Sequence, residues 1–208
     1  MSNPGATTAA TYRAQVGSQV LDLPLVELAP DLTIALLITV DHGISVLARA
    51  GAELAALLEP ERVDAVATAA TMGLPVAIEV ARALGLDDYI VLHKTPKTHL
   101  RDALVEDVRS ITTGPLQQLR LDRARLEHVA GRRVAFVDDV VSTGSSAVAA
   151  LRLLRRAGAE VVGVGALVTE TRAWRDALGA DERLVRALGA IPVFRPGPGG
   201  SLDADWDG

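Results

Sequence analysis

The chain has 208 residues, no cysteine, and 26 acidic against 21 basic side chains, for a formal charge of −5. The absence of cysteine excludes disulfide frameworks, zinc–thiolate sites and thiol nucleophiles, and the acidic balance argues against a general nucleic-acid or membrane-surface binder. Hydrophobic residues at 49% and aromatic residues at only 3% predict one folded domain with almost no stacking platform for single strands.

Residues 1–11 are small and polar and read as a flexible N-terminal tail. Residues 12–25 carry two short extended runs around Gly17-Ser18, which predicts a hairpin. The longest apolar run, 32–40, is bounded by Asp31 and Asp41 and is too short for a membrane span, which needs about 20 residues. No basic region precedes a long apolar core at the N-terminus, so no signal peptide and a soluble, cytoplasmic protein are expected. Residues 43–58 place Val46, Leu47, Leu54, Leu57 and Leu58 at helical spacings ahead of Pro60.

Residues 63–68 read as a buried strand, 75–84 as a helix with Pro75 in its first turn and Gly85 at its end, and 89–92 as a second strand. The stretch 94–115 is polar and shows no core face. A short alternating run at 117–121 follows, then a core strand at 133–137, a helix at 147–156, a strand at 161–168 and a last short strand at 191–194. Residues 196–208 are rich in Gly, Pro and acid and read as a disordered tail. Arg152, Arg155 and Arg156 mark the solvent face of the 147–156 helix. Continuous Val/Ile/Ala strands alternating with helices predict an α/β fold, with a parallel sheet covered on both faces. Ligands of such sheets bind beyond the carboxyl ends of the strands.

The loop at residues 134–146, VAFVDDVVSTGSS, carries the strongest chemical signal. A hydrophobic strand ends in two carboxylates, Asp138 and Asp139, and Ser142, Thr143, Gly144, Ser145 and Ser146 then open a helix. Small hydroxyl residues at a helix N-terminus offer amides, the positive dipole end and O–H donors to a phosphate. The glycine permits a tight turn and close backbone approach. Carboxylates repel phosphate, so their natural partners are vicinal sugar hydroxyls or a magnesium ion, bound directly or through water. The combination suggests a phosphorylated sugar with free hydroxyls.

This motif resembles the phosphoribosyl-pyrophosphate (PRPP) motif of type I phosphoribosyltransferases, with Ser145 where the family more often has a second glycine. From about residue 16 to residue 194, order and spacing resemble the purine-type members, the adenine and xanthine phosphoribosyltransferases. The resemblance implies the family's parallel-sheet fold over residues 12–195, with helices on both faces and a small hood drawn partly from 12–30 and 170–195.

The resemblance also implies roles. Asp138 and Asp139 would hold the ribose hydroxyls, directly or through Mg²⁺, and residues 142–146 the 5′-phosphate. Thr68, Thr71 and Gly73 lie in the segment that contacts pyrophosphate in the family, although Ala70 replaces a frequent Glu and Met72 an Arg or small polar residue. His93-Lys94-Thr95-Pro96-Lys97 resembles the Arg-Lys-x-x-Lys that opens the family's mobile loop, so Lys94 and Lys97 would help pyrophosphate leave. Residues 109–114 lack the tyrosine and glutamate of adenine-type members. Trp174 falls where the family places residues near the purine and would either stack on the base or pack against Leu178 one helical turn on. The implied partners are PRPP, a purine-like base and a second copy of the chain; no nucleic acid and no membrane are expected.

The implied reaction is transfer of ribose 5-phosphate from PRPP to a purine-like base, with adenine the foremost acceptor. Three alternatives stand beside it. One is a PRPP- or nucleotide-binding regulator without catalysis, motivated by Ala70, Met72 and Thr112. Another is a transferase acting on a specialised heterocycle. The third, a PRPP synthetase, needs two related domains, for which the chain is short. No Gly-x-Gly-x-x-Gly opens a helix, and no Gly-Lys-Ser/Thr is present, so dinucleotide-binding and P-loop readings fail. Asp41-His42 reads as a cap ahead of the 43–58 helix rather than as a catalytic pair.

Overall fold

Runs of Val, Ala and Ile too continuous to be half-solvated become the central strands of the computed structural model, which describes residues 10–98, 102–108 and 117–208. In chain order, β1 (Thr11–Val16), β2 (Gln19–Ala29) and β3 (Leu32–Ala35) precede α1 (Ile44–Leu58), β4 (Ala65–Ala69), α2 (Gly73–Ala83) and β5 (Tyr89–Leu92). Next come β6 (Ala103–Val108), β7 (Gln117–Asp122), β8 (Arg133–Val141), α3 (Ser145–Arg156) and β9 (Glu160–Glu170). The chain continues through α4 (Trp174–Leu178), β10 (Val185–Ile191), β11 (Val193–Pro196) and β12 (Leu202–Asp205).

The main sheet has the order β10-β9-β8-β4-β5, and every neighbouring pair in it is parallel. β8 shows why it must be covered twice. Its side chains alternate, so Val134 and Phe136 pack under α3 while Ala135 and Val137 pack under α1 and α2. α1 presents Ala50, Gly51, Leu54, Ala55 and Leu58 as one buried stripe at 3–4 residue spacing. Leu57, which the spacing placed in the core, is exposed instead. α3 keeps Arg152, Arg155 and Arg156 outside, and two of them are tied down. Arg155 holds Asp181 through two bonds of 2.7 and 2.8 Å, and Arg156 reaches Glu106 at 2.7 Å.

A second, antiparallel sheet has the order β1-β2-β3-β11-β12 and forms the small hood. Of the span 170–195 expected to contribute to it, residues 185–191 instead form the edge of the main sheet. The acidic C-terminal segment, expected to be disordered, is in part a strand. Leu202–Asp205 is not disordered but pairs antiparallel with β11, and Arg195 holds Asp205 at 3.3 Å. Its side chains are largely exposed, so the ladder and this ion pair hold it rather than a core face. The polar stretch 94–115 also hides a strand, β6, which pairs with β7 as a separate ribbon.

The N-terminal tail up to residue 9 and the segment 109–114 lie outside the described residues, and Thr11 already belongs to β1. The cap of α1 is Gly43, with no side-chain cap bond, so Asp41 and His42 do not serve as one. Among the described residues no helix is long and apolar enough to cross a membrane.

Candidate active site

Parallel pairing brings the carboxyl ends of the main strands to one edge, and the chemistry-bearing residues gather there. β8 extends through Asp138 and Asp139 to Val141 before the chain turns at residues 142–144 into α3. The cavity at this turn, about 150 Å³, is lined by Lys94, Asp138, Asp139 and residues 140–147. Two predicted groups distant in sequence, the acidic pair and Lys94, therefore share one cavity.

Asp138 is 8% exposed. Burial pushes its carboxyl well above the usual carboxylate range, the charge and hydrogen bonding of Asp139 push it further, and Lys94 opposes the shift. Its Oδ1 accepts from the Asp139 amide at 3.1 Å. Two neighbouring carboxylates, one of them desolvated, are costly to keep ionised unless a ligand offers donors or positive charge.

At the turn, Gly144 takes φ +78°, and a Cβ there would lie 3.1 Å from both the Ala177 Cβ and the Trp174 carbonyl oxygen. The loop is thus pressed onto α4 at a point where only glycine fits without strain. Gly144→Ala is expected to lower stability by about 1–2 kcal/mol, read as a fall in melting temperature; an unchanged melt would contradict this packing. α3 begins with no side-chain cap bond and no acid in its first turn, which leaves its positive end to an anion. Thr143 Oγ1 and Ser145 Oγ lie 2.9 Å apart on the outer side of the loop.

The neighbouring loop after β4 carries Thr68, Thr71 and Gly73, but the structure separates their positions. Thr71 is exposed, and the Ala70–Thr71 peptide is cis. Thr68 is fully buried, and its hydroxyl has no hydrogen-bond partner. It lies under Gly73, whose added Cβ would sit 2.2 Å from Thr68 Oγ1 and 2.5 Å from Asp138 Oδ1. Thr68 is therefore a floor beneath the loop rather than a group facing pyrophosphate. Thr39 fixes the loop from the hood side, donating to the Met72 carbonyl at 2.6 Å. On the other flank the Ala70 amide donates to Leu92 O at 3.0 Å, which sets the loop beside the start of the His93–Lys97 segment. Lys97 is exposed there and does not line the cavity.

Of the two alternatives for Trp174, the structure shows packing against Leu178. Trp174 is 6% exposed, packs in the core with Leu178, donates from Nε1 to Thr171 O at 3.2 Å, and carries the Arg175 guanidinium 5.0 Å from its ring centroid. Its backbone supports Gly144, and its buried ring offers little surface to a base. The sequence reading missed Glu170, at the end of β9. Its carboxylate accepts from Ser142 Oγ, and burial raises its pKa above the usual carboxylate range, with the Ser142 bond acting the other way. No sequence pattern marks it, because its place beside the loop depends on the register between β8 and β9.

An edge with amides and hydroxyls for an anion and desolvated carboxylates for a polyol suits a sugar phosphate. The model of the phosphoribosyl transferase domain matches residues 44–185, and the chain belongs to that family. A xanthine phosphoribosyltransferase of Geobacillus thermodenitrificans is 29% identical over 141 residues, 68% of this chain and 69% of that one. An adenine phosphoribosyltransferase of Streptomyces avermitilis is 49% identical over 65 residues, 31% of this chain and 33% of that one. In fold, the chain is similar to the adenine phosphoribosyltransferase of Saccharomyces cerevisiae, with a TM-score of 0.57, 19% identity, and 86% and 94% of the two chains covered. The Giardia lamblia enzyme solved with 9-deazaadenine gives 0.58 at 18% identity over 71% of this chain and 78% of its own. At these identities the structures establish the shared fold.

Proposed function

We propose that this protein transfers ribose 5-phosphate from PRPP to a purine-like base, giving a nucleoside 5′-monophosphate and pyrophosphate, with adenine-type salvage as the foremost case. The observation that carries this is the desolvated Asp138 beside Asp139, in a cavity whose other wall is the uncapped start of α3. The dyad accepts the two ribose hydroxyls. The amides of residues 143–146, with the hydroxyls of Thr143, Ser145 and Ser146, take the 5′-phosphate. Lys94 faces the dyad across the cavity, where it neutralises charge building on the leaving group, and Lys97 and Thr71 extend that contact.

In the reaction the bond from C1′ to the pyrophosphate oxygen breaks and its electrons leave with pyrophosphate. The base nitrogen bonds C1′, and its proton passes, directly or through water, to the departing pyrophosphate. The negative charge of Asp138 and Asp139 stabilises the oxocarbenium-like sugar between these events.

The donor set fits Mg²⁺, which takes hard oxygen ligands and keeps several waters. Among the described residues no cluster of three or more acidic or histidine side chains is available to hold a metal. Asp138 and Asp139 would therefore hold the ion together with water and PRPP oxygens, and the ion would supply positive charge to the pyrophosphate. A homodimer is the proposed working unit; the exposed Val40 and Ile44 follow Thr39, which grips the pyrophosphate loop, and offer apolar surface to bury.

Calorimetry with PRPP and Mg²⁺, with pyrophosphate release measured on the same sample across a purine panel, tests the proposal. Binding together with release is expected. Binding without release for any base would make the protein a PRPP-binding regulator, and release only with a non-purine would point to a specialised heterocycle.

A further inference from the structure

Parallel pairing sets Val141 of β8 opposite Thr169 of β9, so Ser142, just past β8, lies beside Glu170, the last residue of β9. There Ser142 Oγ donates to Glu170 Oε2. A hydroxyl has one proton, and once it is given to Glu170 it cannot also be given to a phosphate. Ser142 is thus set apart from the rest of the loop it opens. Thr143 and Ser145 share one hydrogen bond at 2.9 Å, so one of that pair, together with Ser146, keeps a proton for an anion, whereas Ser142 anchors the turn.

Glu170 is itself held from its other side. Thr171 adopts φ +54°, an uncommon conformation for a β-branched residue, and its amide donates to Ile191 O at 2.9 Å. Its carbonyl accepts from Trp174 Nε1 at 3.2 Å, and Arg172 pairs with Asp207 at 2.9 Å. Trp174 in turn backs Gly144, whose added Cβ would lie 3.1 Å from the Trp174 carbonyl oxygen. The contacts close a ring from Ser142 through Glu170, Thr171 and Trp174 to Gly144 that encircles the base of the loop. A half-buried carboxylate beside an anion-binding loop is electrostatically unfavourable, and a fixed loop geometry is what that cost sustains.

Resting on the assignment of residues 143–146 to the 5′-phosphate, we propose that Glu170 is a positioning residue for that phosphate: it accepts the Ser142 hydrogen bond and locks the first turn of the loop, without touching substrate. The effect is specific to the 5′-phosphate subsite and runs through Ser142.

The test is calorimetric binding of ribose 5-phosphate, PRPP and inorganic pyrophosphate, each with Mg²⁺, to the wild type, Glu170→Ala, Glu170→Gln, Ser142→Ala and the Glu170→Ala/Ser142→Ala double variant. Glu170→Ala and Ser142→Ala are each expected to weaken ribose 5-phosphate and PRPP by about tenfold. The double variant is expected to be no weaker than either single one, because both remove the same bond. Glu170→Gln keeps a carbonyl acceptor and should recover part of the loss. Pyrophosphate, which lacks the 5′-phosphate, should bind all variants as it binds the wild type. Additive losses in the double variant, wild-type binding by Glu170→Ala, or pyrophosphate affinity falling in step would overturn the positioning role. A wild type that binds neither PRPP nor ribose 5-phosphate would instead overturn the loop assignment, and the positioning role with it.

Discussion

Asp138→Asn is expected to reduce PRPP-dependent transfer by a factor on the order of 10²–10³, while making the free protein more stable at neutral pH. The first effect follows from losing a charge that faces the developing cation. The second follows from the sign of the pKa shift. Burial raises Asp138 above its unfolded value, so the unfolded chain ionises first as pH increases. The stability the group contributes is present below about pH 4, the unfolded value, and is lost as pH rises through the folded value. Wild-type melting temperature should therefore fall across that window, and Asp138→Asn, which cannot ionise, should remove this part of the fall. Thermal melts from pH 4 to 8 alongside pyrophosphate release check both halves. A variant whose melting profile runs parallel to the wild type, or which retains full turnover, would show that Asp138 is not the strained charge at the reacting centre. Stability gained with activity lost is the usual signature of a site held against its own preference.

Gly73→Ala carries the other large effect. Its Cβ would arrive 2.2 Å from Thr68 Oγ1 and 2.5 Å from Asp138 Oδ1, and neither neighbour is free to yield. Thr68 is fully buried within β4, and Asp138 Cα lies 3.3 Å from the same point. Overpacking of this kind costs about 1–3 kcal/mol, which in a domain of this size is a fall of roughly 2–12 °C in melting temperature. Displacing the dyad by even about 1 Å is expected to cost on the order of 10²-fold in kcat. Turnover and melting on the same preparation measure it. An Ala variant with wild-type turnover would mean that the close approach of the two loops is not needed for catalysis.

The candidate site could be placed from the sequence where chemistry and periodicity interrupt each other. A buried apolar run that ends in Asp138-Asp139 and then small hydroxyl residues has few structural readings, and Lys94 and the dyad do meet. The layered fold was legible for the same reason, since the runs read as strands at 63–68, 89–92 and 133–137 are too apolar for a one-sided sheet. What escaped has equally physical causes. β6 interleaves Glu106 and Asp107 with apolar residues and buries only Val108 fully, and β12 has little core face, so neither leaves a burial pattern in the sequence. β10 is an edge strand interrupted by Arg186 and Gly189. The roles of Trp174, Thr68 and Glu170 depend on which side chain lies under which loop. That is set by register between strands far apart in sequence, which composition and spacing do not encode.

The most direct test of the account is to incubate the protein with PRPP, Mg²⁺ and a panel of purines and related heterocycles and to search for new nucleotide masses. The expected product is a nucleoside 5′-monophosphate of one purine-like base, formed in step with pyrophosphate and absent from the Asp138→Asn/Asp139→Asn variant. No new nucleotide from any base, or equal yield from the double variant, would contradict it.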